Sequence, residues 1–137
     1  MTIRRGETRD LAEIAAIQAA SPQGAQWDVA GYMQYDLAVA VEDERVAGFL
    51  AAQSLGAGEH ELLNLAVAPR FRRAGVARKL LHWLCKQIDG SLFLEVRESN
   101  LAARNLYKSM DFEEVGRRPK YYESPPEAAI VMKFHSC

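Results

Sequence analysis

The chain has 137 residues, of which 49% are apolar and 26% charged, and its 17 Lys and Arg against 18 Asp and Glu leave a net charge of −1. That is the composition of one globular domain spanning 1–137, able to bury a core without disulfides or metal. It excludes a disordered or fibrous chain, and the balanced charge argues against a protein built mainly to coat nucleic acid.

Residues 2–5 read as a short strand. Thr8 is the predicted N-cap of a helix in which Leu11, Ile14, Ala15 and Ile17 recur at helical spacing, and which stops near Ser21-Pro22. A short second helix is expected from Asp28 to about Tyr35. Leu37 to Val41 and Val46 to Ser54 read as strands joined by the polar turn Glu42-Asp43-Glu44-Arg45, and so as a hairpin. The loop Leu55-Gly56-Ala57-Gly58 leads to a strand over about 59–67, which Pro69 ends because proline cannot donate to a ladder. The strongest helix is about 75–88: Val76, Leu80, Leu84 and Ile88 are four apart, and Ala77, Leu81 and Cys85 fill the next row. Leu92 to Val96 is a dense apolar run, the pattern of a strand buried on both faces. Ser99 is read as the cap of a helix running to about Met110. Residues 112–117 and 128–134 read as closing strands, with Pro119, Pro125 and Pro126 in the loop between them. The mixed order predicts an α/β or α+β sheet with helices on its faces.

Cys85 falls in a helical pattern and Cys137 is the last residue, a poor basis for a disulfide. His60, His82 and His135 match no zinc spacing, so no metal is expected. Met1 to Gly6 carry no signal-peptide run, and no stretch nears the roughly 20 apolar residues of a membrane span. A cytoplasmic protein is the expectation.

The chemistry concentrates between Leu63 and Lys79. A strand ends at Val67, a turn with Pro69 follows, then Arg70, Arg72 and Arg73, then Gly75 at a helix start. Free N–H groups and the helix dipole favour an anion there. Glycine, having no Cβ, lets a phosphate approach the backbone. The arginines add forked donors. A solvated basic helix start is the plain alternative, and the local pattern leaves both open.

The run Arg72-Arg73-Ala74-Gly75-Val76-Ala77 resembles the Q/R-x-x-G-x-G/A signature of the GCN5-related N-acetyltransferase superfamily. Leu94-Glu95-Val96-Arg97-Glu98-Ser99-Asn100, then Ala102-Ala103, Leu106-Tyr107 and Met110-Asp111-Phe112, resemble its second half. Met110-Asp111 stands where many members have glycine before Phe. The chain is most similar to the bacterial ribosomal-protein-alanine N-acetyltransferases, through Asn64-Leu65-Ala66-Val67, Tyr121-Tyr122 and Ala129-Ile130-Val131-Met132. It departs from them at Pro125-Pro126-Glu127-Ala128, where that subfamily carries an acidic residue just before the strand.

The resemblance implies a mixed sheet of six to seven strands splayed in the middle, with helices on both faces. It also implies transfer of acetyl from acetyl-CoA directly to a primary amine, and a monomer or weak homodimer. Under it, Arg72, Arg73, Ala74, Gly75, Val76, Ala77 and Arg78 cradle the pyrophosphate. The backbone of Leu65, Ala66 and Val67 pairs with the pantetheine amides, and Asn100 bonds the coenzyme. Glu95 is the general base, and its partial burial in an apolar strand would suit it to work near neutral pH. A strand carboxylate facing water or pairing with Arg97 is the alternative. Tyr107 is the general acid, against the reading of a packed tyrosine with its hydroxyl exposed. Tyr121 and Tyr122 line the acceptor site. Trp27 and Tyr32 are further candidates there, Trp27 reading rather as a packing residue. Glu42 to Arg45 and Arg117-Arg118 read as solvated charge.

The acceptor implied is a protein N-terminal α-amine, a ribosomal protein among them. A small-amine acetyltransferase and a non-catalytic acyl-CoA-binding module remain alternatives. Nucleic acid binding is disfavoured, because the basic residues gather in one turn without interleaved aromatics.

Overall fold

A computed structural model describes residues 1–22 and 25–135. Cys137 lies outside the described residues. The strands are β1 (Thr2–Arg5), β2 (Asp36–Glu42), β3 (Arg45–Gly56), β4 (Glu59–Val67), β5 (Ser91–Arg97), β6 (Glu113–Glu123) and β7 (Pro126–Phe134). The helices are α1 (Leu11–Ala19), α2 (Val76–Gln87) and α3 (Leu101–Ser109). The strands form one seven-stranded sheet in the order β1-β2-β3-β4-β5-β7-β6. β5 is parallel to β4 and antiparallel to β7, so the sheet is mixed, as expected.

The chain divides into two compact units, Met1–Gln53 with Leu62–Ile88, and Ser54–Glu61 with Asp89–Cys137. In the first, Ile14, Ile17, Tyr32, Leu37, Val39 and Phe49 belong to one buried cluster. The β2–β3 turn is two residues long, with Asp43 and Glu44 both left-handed at φ 50 and 62, the geometry a tight hairpin needs. Gly48 of β3 does a different job. A Cβ there would lie 2.9 Å from both Ala66 O and Val76 Cγ1, so its absence lets the first residue of α2 rest directly on the sheet.

In the second unit, β4 pairs with β5 over Glu59–Glu61 and Ser91–Phe93. β5 pairs with β7 from Leu92↔Phe134 to Arg97↔Ala129, and β7 with β6.

Several expectations need correcting. Thr8 is no helix cap: Thr8–Asp10 is a 3-10 turn, closed by the Glu7 N–H donating to Asp10 Oδ2 at 2.8 Å, and α1 starts at Leu11. The segment after Asp28 is also 3-10, Val29–Gln34. The anticipated four-residue loop at 55–58 shrinks to a turn at Ala57-Gly58. β5 alternates instead of burying both faces: Leu92, Leu94 and Val96 are buried, while Phe93, Glu95 and Arg97 are half-buried. The cap of α3 is Asn100, one residue after Ser99, with its side chain accepting from the Ala103 N–H at 3.2 Å. The long proline loop is absent, because β6 runs on through Pro119 to Glu123. Pro119 sits in a register shift between Arg118 and Tyr122 on an edge strand, where a missing N–H costs no ladder bond. Tyr121 and Tyr122 are therefore strand residues.

Candidate active site

The site residues read from the sequence fall into two sets, one on each unit. In the first unit, α2 opens on Gly75 at φ +77. A Cβ at Gly75 would meet nothing within 4 Å. Packing therefore does not demand glycine there, and the open space beside the helix start suits a phosphate. Arg73 is left-handed too, at φ 65, which costs a non-glycine residue about 1–2 kcal/mol. Such strain gathers at ligand clamps. Val76 is buried, Ala77 is half-buried, and Arg73, Ala74 and Arg78 are exposed.

Arg72 has a different occupation. Its guanidinium donates to Val67 O (3.3 Å), Ala20 O (3.0 Å) and Ser21 Oγ (3.3 Å), binding the end of α1 to the end of β4. Of the β4 groups expected to meet pantetheine, the Leu65 N–H is already taken by Asn64 Oδ1 at 2.9 Å.

If the space at Gly75 receives a phosphate, Gly75→Val should cut acetyl-CoA affinity at least about 100-fold, some 2.7 kcal/mol. Gly75→Asn, which tolerates a left-handed backbone, should keep the melting temperature yet still lose affinity about tenfold. Isothermal calorimetry and a thermal melt read the two effects apart. Unchanged affinity in the Asn variant would contradict the placement.

In the second unit, Glu95 of β5 is opposite Val131 of β7, which is opposite Gly116 of β6. Period-two alternation puts Arg97 and Arg118 on the same face. Arg118 reaches Glu95 Oε1 at 3.4 Å. Glu95 Oε2 is buried and has no hydrogen-bond partner among the described residues. An orphaned carboxylate oxygen is costly and calls for a reason. Arg97, two residues along the strand, does not pair with Glu95. It donates to Pro125 O (3.1 Å), Ser124 O (3.2 Å) and Glu127 Oε1 (3.3 Å), and lies 4.2 Å over the Tyr122 ring. Glu127 also accepts the Ser99 N–H at 2.6 Å, and hydrogen bonding from Ser99, with Arg97 beside it, holds its carboxyl below the usual range. Glu127 and Arg97 together thus tie the β6–β7 turn to the start of α3.

The two tyrosines share this face with the carboxylate. Tyr121 and Tyr122 pack edge-on at 5.1 Å. Burial first, then the Glu95 charge, pushes the Tyr122 phenol up to about 12 and the Tyr121 phenol upward as well. Tyr121 remains 48% exposed, open to a ligand.

Tyr107 is fixed by the way α3 ends. Where a glycine was expected, Asp111 takes φ 70. The Phe112 N–H then donates to Tyr107 O (3.0 Å) and the Asp111 N–H to Lys108 O (3.1 Å), a Schellman cap. Its usual hydrophobic contact is Phe112 on Tyr107 itself, ring centroids 5.5 Å apart. Tyr107 is 8% exposed, and burial, then the neighbouring Tyr122, drives its phenol strongly upward. Asn100 spends its Oδ1 on the helix cap.

Two acceptor candidates come out reversed. Tyr32 is 1% exposed and belongs to the core beside Phe49, at 5.4 Å. Trp27, read as packing, is 42% exposed. Among the described residues no group of three or more His, Cys, Asp or Glu is placed to hold a metal ion, and no helix is long and apolar enough to cross a membrane.

A helix start open to a diphosphate and a strand carboxylate with a free oxygen are what amine acylation from a nucleotide-bearing thioester asks of a protein. Residues 8–112 match the acetyltransferase (GNAT) family, and the chain belongs to it: it is an acetyl-CoA-dependent N-acetyltransferase. Among its relatives is the [ribosomal protein bS18]-alanine N-acetyltransferase of Haemophilus ducreyi, 38% identical over 69% of each chain. The enzyme of that name from Salmonella typhimurium is 41% identical over 66% of this chain and 64% of its own length. The crystal structure of the ribosomal-protein-S18-alanine N-acetyltransferase from Escherichia coli superposes with a TM-score of 0.82 at 30% identity, covering 98% of this chain and 92% of that one.

Proposed function

We propose that the protein acetylates the α-amine at the N-terminus of a protein, a ribosomal protein being the acceptor suggested by its relatives' names, and that 1–137 act as one N-acetyltransferase domain in the cytoplasm. The observation that carries the reading is the orphaned Oε2 of Glu95 beside Tyr121 and Tyr122. A carboxylate oxygen without a partner, among aromatic rings on a sheet face, is suited to an ammonium group that must lose a proton.

The roles follow from the groups. Gly75, Arg73 and the first turn of α2 hold the pyrophosphate, and the backbone of Ala66 and Val67 aligns the pantetheine. Glu95 takes the proton of the acceptor ammonium. The freed nitrogen attacks the thioester carbon, forming the C–N bond while the C–S bond breaks, and the nitrogen then sheds its second proton, which restores the one that Tyr107 gives to the sulfur. Tyr107, kept neutral by burial, gives its proton to the leaving sulfur. Tyr121 and Tyr122 support the extended peptide, as aromatic strand surfaces do.

Steady-state turnover with acetyl-CoA against peptides beginning Ala, Ser or Met, and against polyamines and free amino acids, tests the acceptor. The reading expects kcat/KM for at least one peptide to exceed every small amine by about tenfold or more. A small amine leading the panel would overturn it.

A further inference from the structure

Of the two adjacent arginines read as solvated charge, only Arg117 fits that description. It lies 2.7 Å from Glu98 in an ion pair whose side chains are 53% and 40% exposed. Arg118 instead reaches Oε1 of Glu95, a side chain only 15% exposed. The register explains how. Glu95, Val131 and Gly116 form one row across β5, β7 and β6, and Arg97, Ala129 and Arg118 form the next. Two strand spacings, about 10 Å, separate the β5 and β6 backbones, so only a long side chain crosses β7 to the carboxylate. Level with Glu95 on β6 stands Gly116. A Cβ there would meet only Val131, at 3.8 Å and beyond, an ordinary contact. Packing therefore does not require the glycine, and a glycine inside a strand weakens it. Its missing side chain leaves the row of Glu95 open on β6, the strand from which Arg118 reaches in.

The contact makes the two carboxylate oxygens unequal. Oε1 faces the Arg118 guanidinium, which also lies 5.7 Å from the Tyr121 ring centroid. Oε2 is buried and has no partner among the described residues. An ion pair with one exposed partner adds little to stability. What a cation on one oxygen does supply is a fixed direction for the other, the kind of support that a reacting group needs from its neighbours.

We propose that Arg118 is a positioning residue for the acyl transfer: by holding Oε1 it sets the direction in which Oε2 of Glu95 meets the acceptor ammonium. This rests on the reading of Glu95 as the base. Arg118 passes no proton and touches no reacting atom, so its loss falls on the chemical step through Glu95 alone. A base misplaced by about 1 Å is slowed by up to about 100-fold, less than the loss of the base itself can cost.

The test is steady-state kinetics on the full chain at neutral pH, with acetyl-CoA and the best acceptor from the panel. Arg118→Gln should lower kcat about 10- to 100-fold. Its acetyl-CoA KM should stay within about twofold, and its melting temperature within a few degrees, of wild type. Arg117→Gln removes the same charge from the neighbouring residue and should leave kcat unchanged. Arg118→Lys keeps the charge without the fork and should recover only part of the rate. Arg118→Ala should regain turnover when millimolar ethylguanidinium is added, which a loss of strand packing would not. Arg118→Gln combined with Glu95→Gln should be no slower than Glu95→Gln alone, because nothing is left to position. Equal losses in Arg117→Gln and Arg118→Gln would reduce the effect to net charge and overturn the proposal. So would losses that multiply in the double variant, since Arg118 would then act apart from Glu95. An Arg118→Gln enzyme with unchanged kcat, beside a Glu95→Gln enzyme that has lost its activity, would overturn it as well. Failure of the base assignment shows separately, as near-normal turnover in Glu95→Gln, and the proposal falls with it.

Discussion

Glu95→Gln should lower kcat by roughly 10²–10⁴-fold, the usual contribution of a general base. The substitution keeps the shape of the side chain and leaves a carboxamide oxygen facing Arg118, which now sits 3.4 Å from Oε1. It removes the free carboxylate oxygen that no described residue satisfies. Acetyl-CoA affinity should stay near wild type, because the helix start proposed to hold the pyrophosphate belongs to the other unit. The defect should depend on pH in one direction. An α-amine has a pKa of about 7.7–8.0, so above that range much of the acceptor is already neutral and needs no base. The wild-type to variant ratio should therefore be largest near pH 6 and shrink toward about pH 9. A Glu95→Gln enzyme with near-normal turnover at neutral pH would move the base to a water chain and leave Glu95 a structural strand residue.

Tyr107→Phe should cost a comparable 10²–10⁴-fold in kcat, with a different pH signature. The ring stays packed on Phe112 and the Schellman cap is built from backbone, so folding should be little affected. Only the hydroxyl is lost. Burial disfavours the phenolate, so the Tyr107 proton is present below a strongly raised pKa, which covers the whole assay range. The ratio of wild type to variant should then be flat from about pH 6 to 9, where the Glu95→Gln ratio falls. Parallel pH–rate profiles of the two variants distinguish acid from base, and identical slopes would mean that the roles are wrongly divided.

Much of the fold was legible because its signals are local. The four-residue spacing of Val76, Leu80 and Leu84 specifies α2, and the short turns specify the hairpins. Misreadings came where a tertiary partner decides. Three prolines between 119 and 126 suggest a loop, yet Pro119 fits a bulged edge strand and Pro126 opens β7. Capping oxygens occur in pairs, and the sequence does not tell Ser99 from Asn100; the Glu127 carboxylate does, by engaging the Ser99 N–H. The candidate site was legible in its residue types and not in its pairings. Arg97 stands two residues from Glu95, but β7 lies between β5 and β6 and brings Arg118 to the carboxylate instead. The hydrogen bonds of Gln18 to Tyr32 and to Asn64 join residues 14 and 46 positions apart, which no local pattern encodes, and Tyr32 is buried there while Trp27 is left exposed.

The central claim is that this chain moves acetyl to an N-terminal α-amine with Glu95 as the base. A peptide that begins with alanine and carries one internal lysine presents both kinds of amine in one molecule. After reaction with acetyl-CoA at neutral pH, tandem mass spectrometry locates the acetyl group. Transfer to the alanine nitrogen, with none on the lysine and with yield collapsing in Glu95→Gln, is the predicted result. Acetyl on the lysine side chain, or an alanine product that forms equally well without the Glu95 carboxylate, would contradict the account.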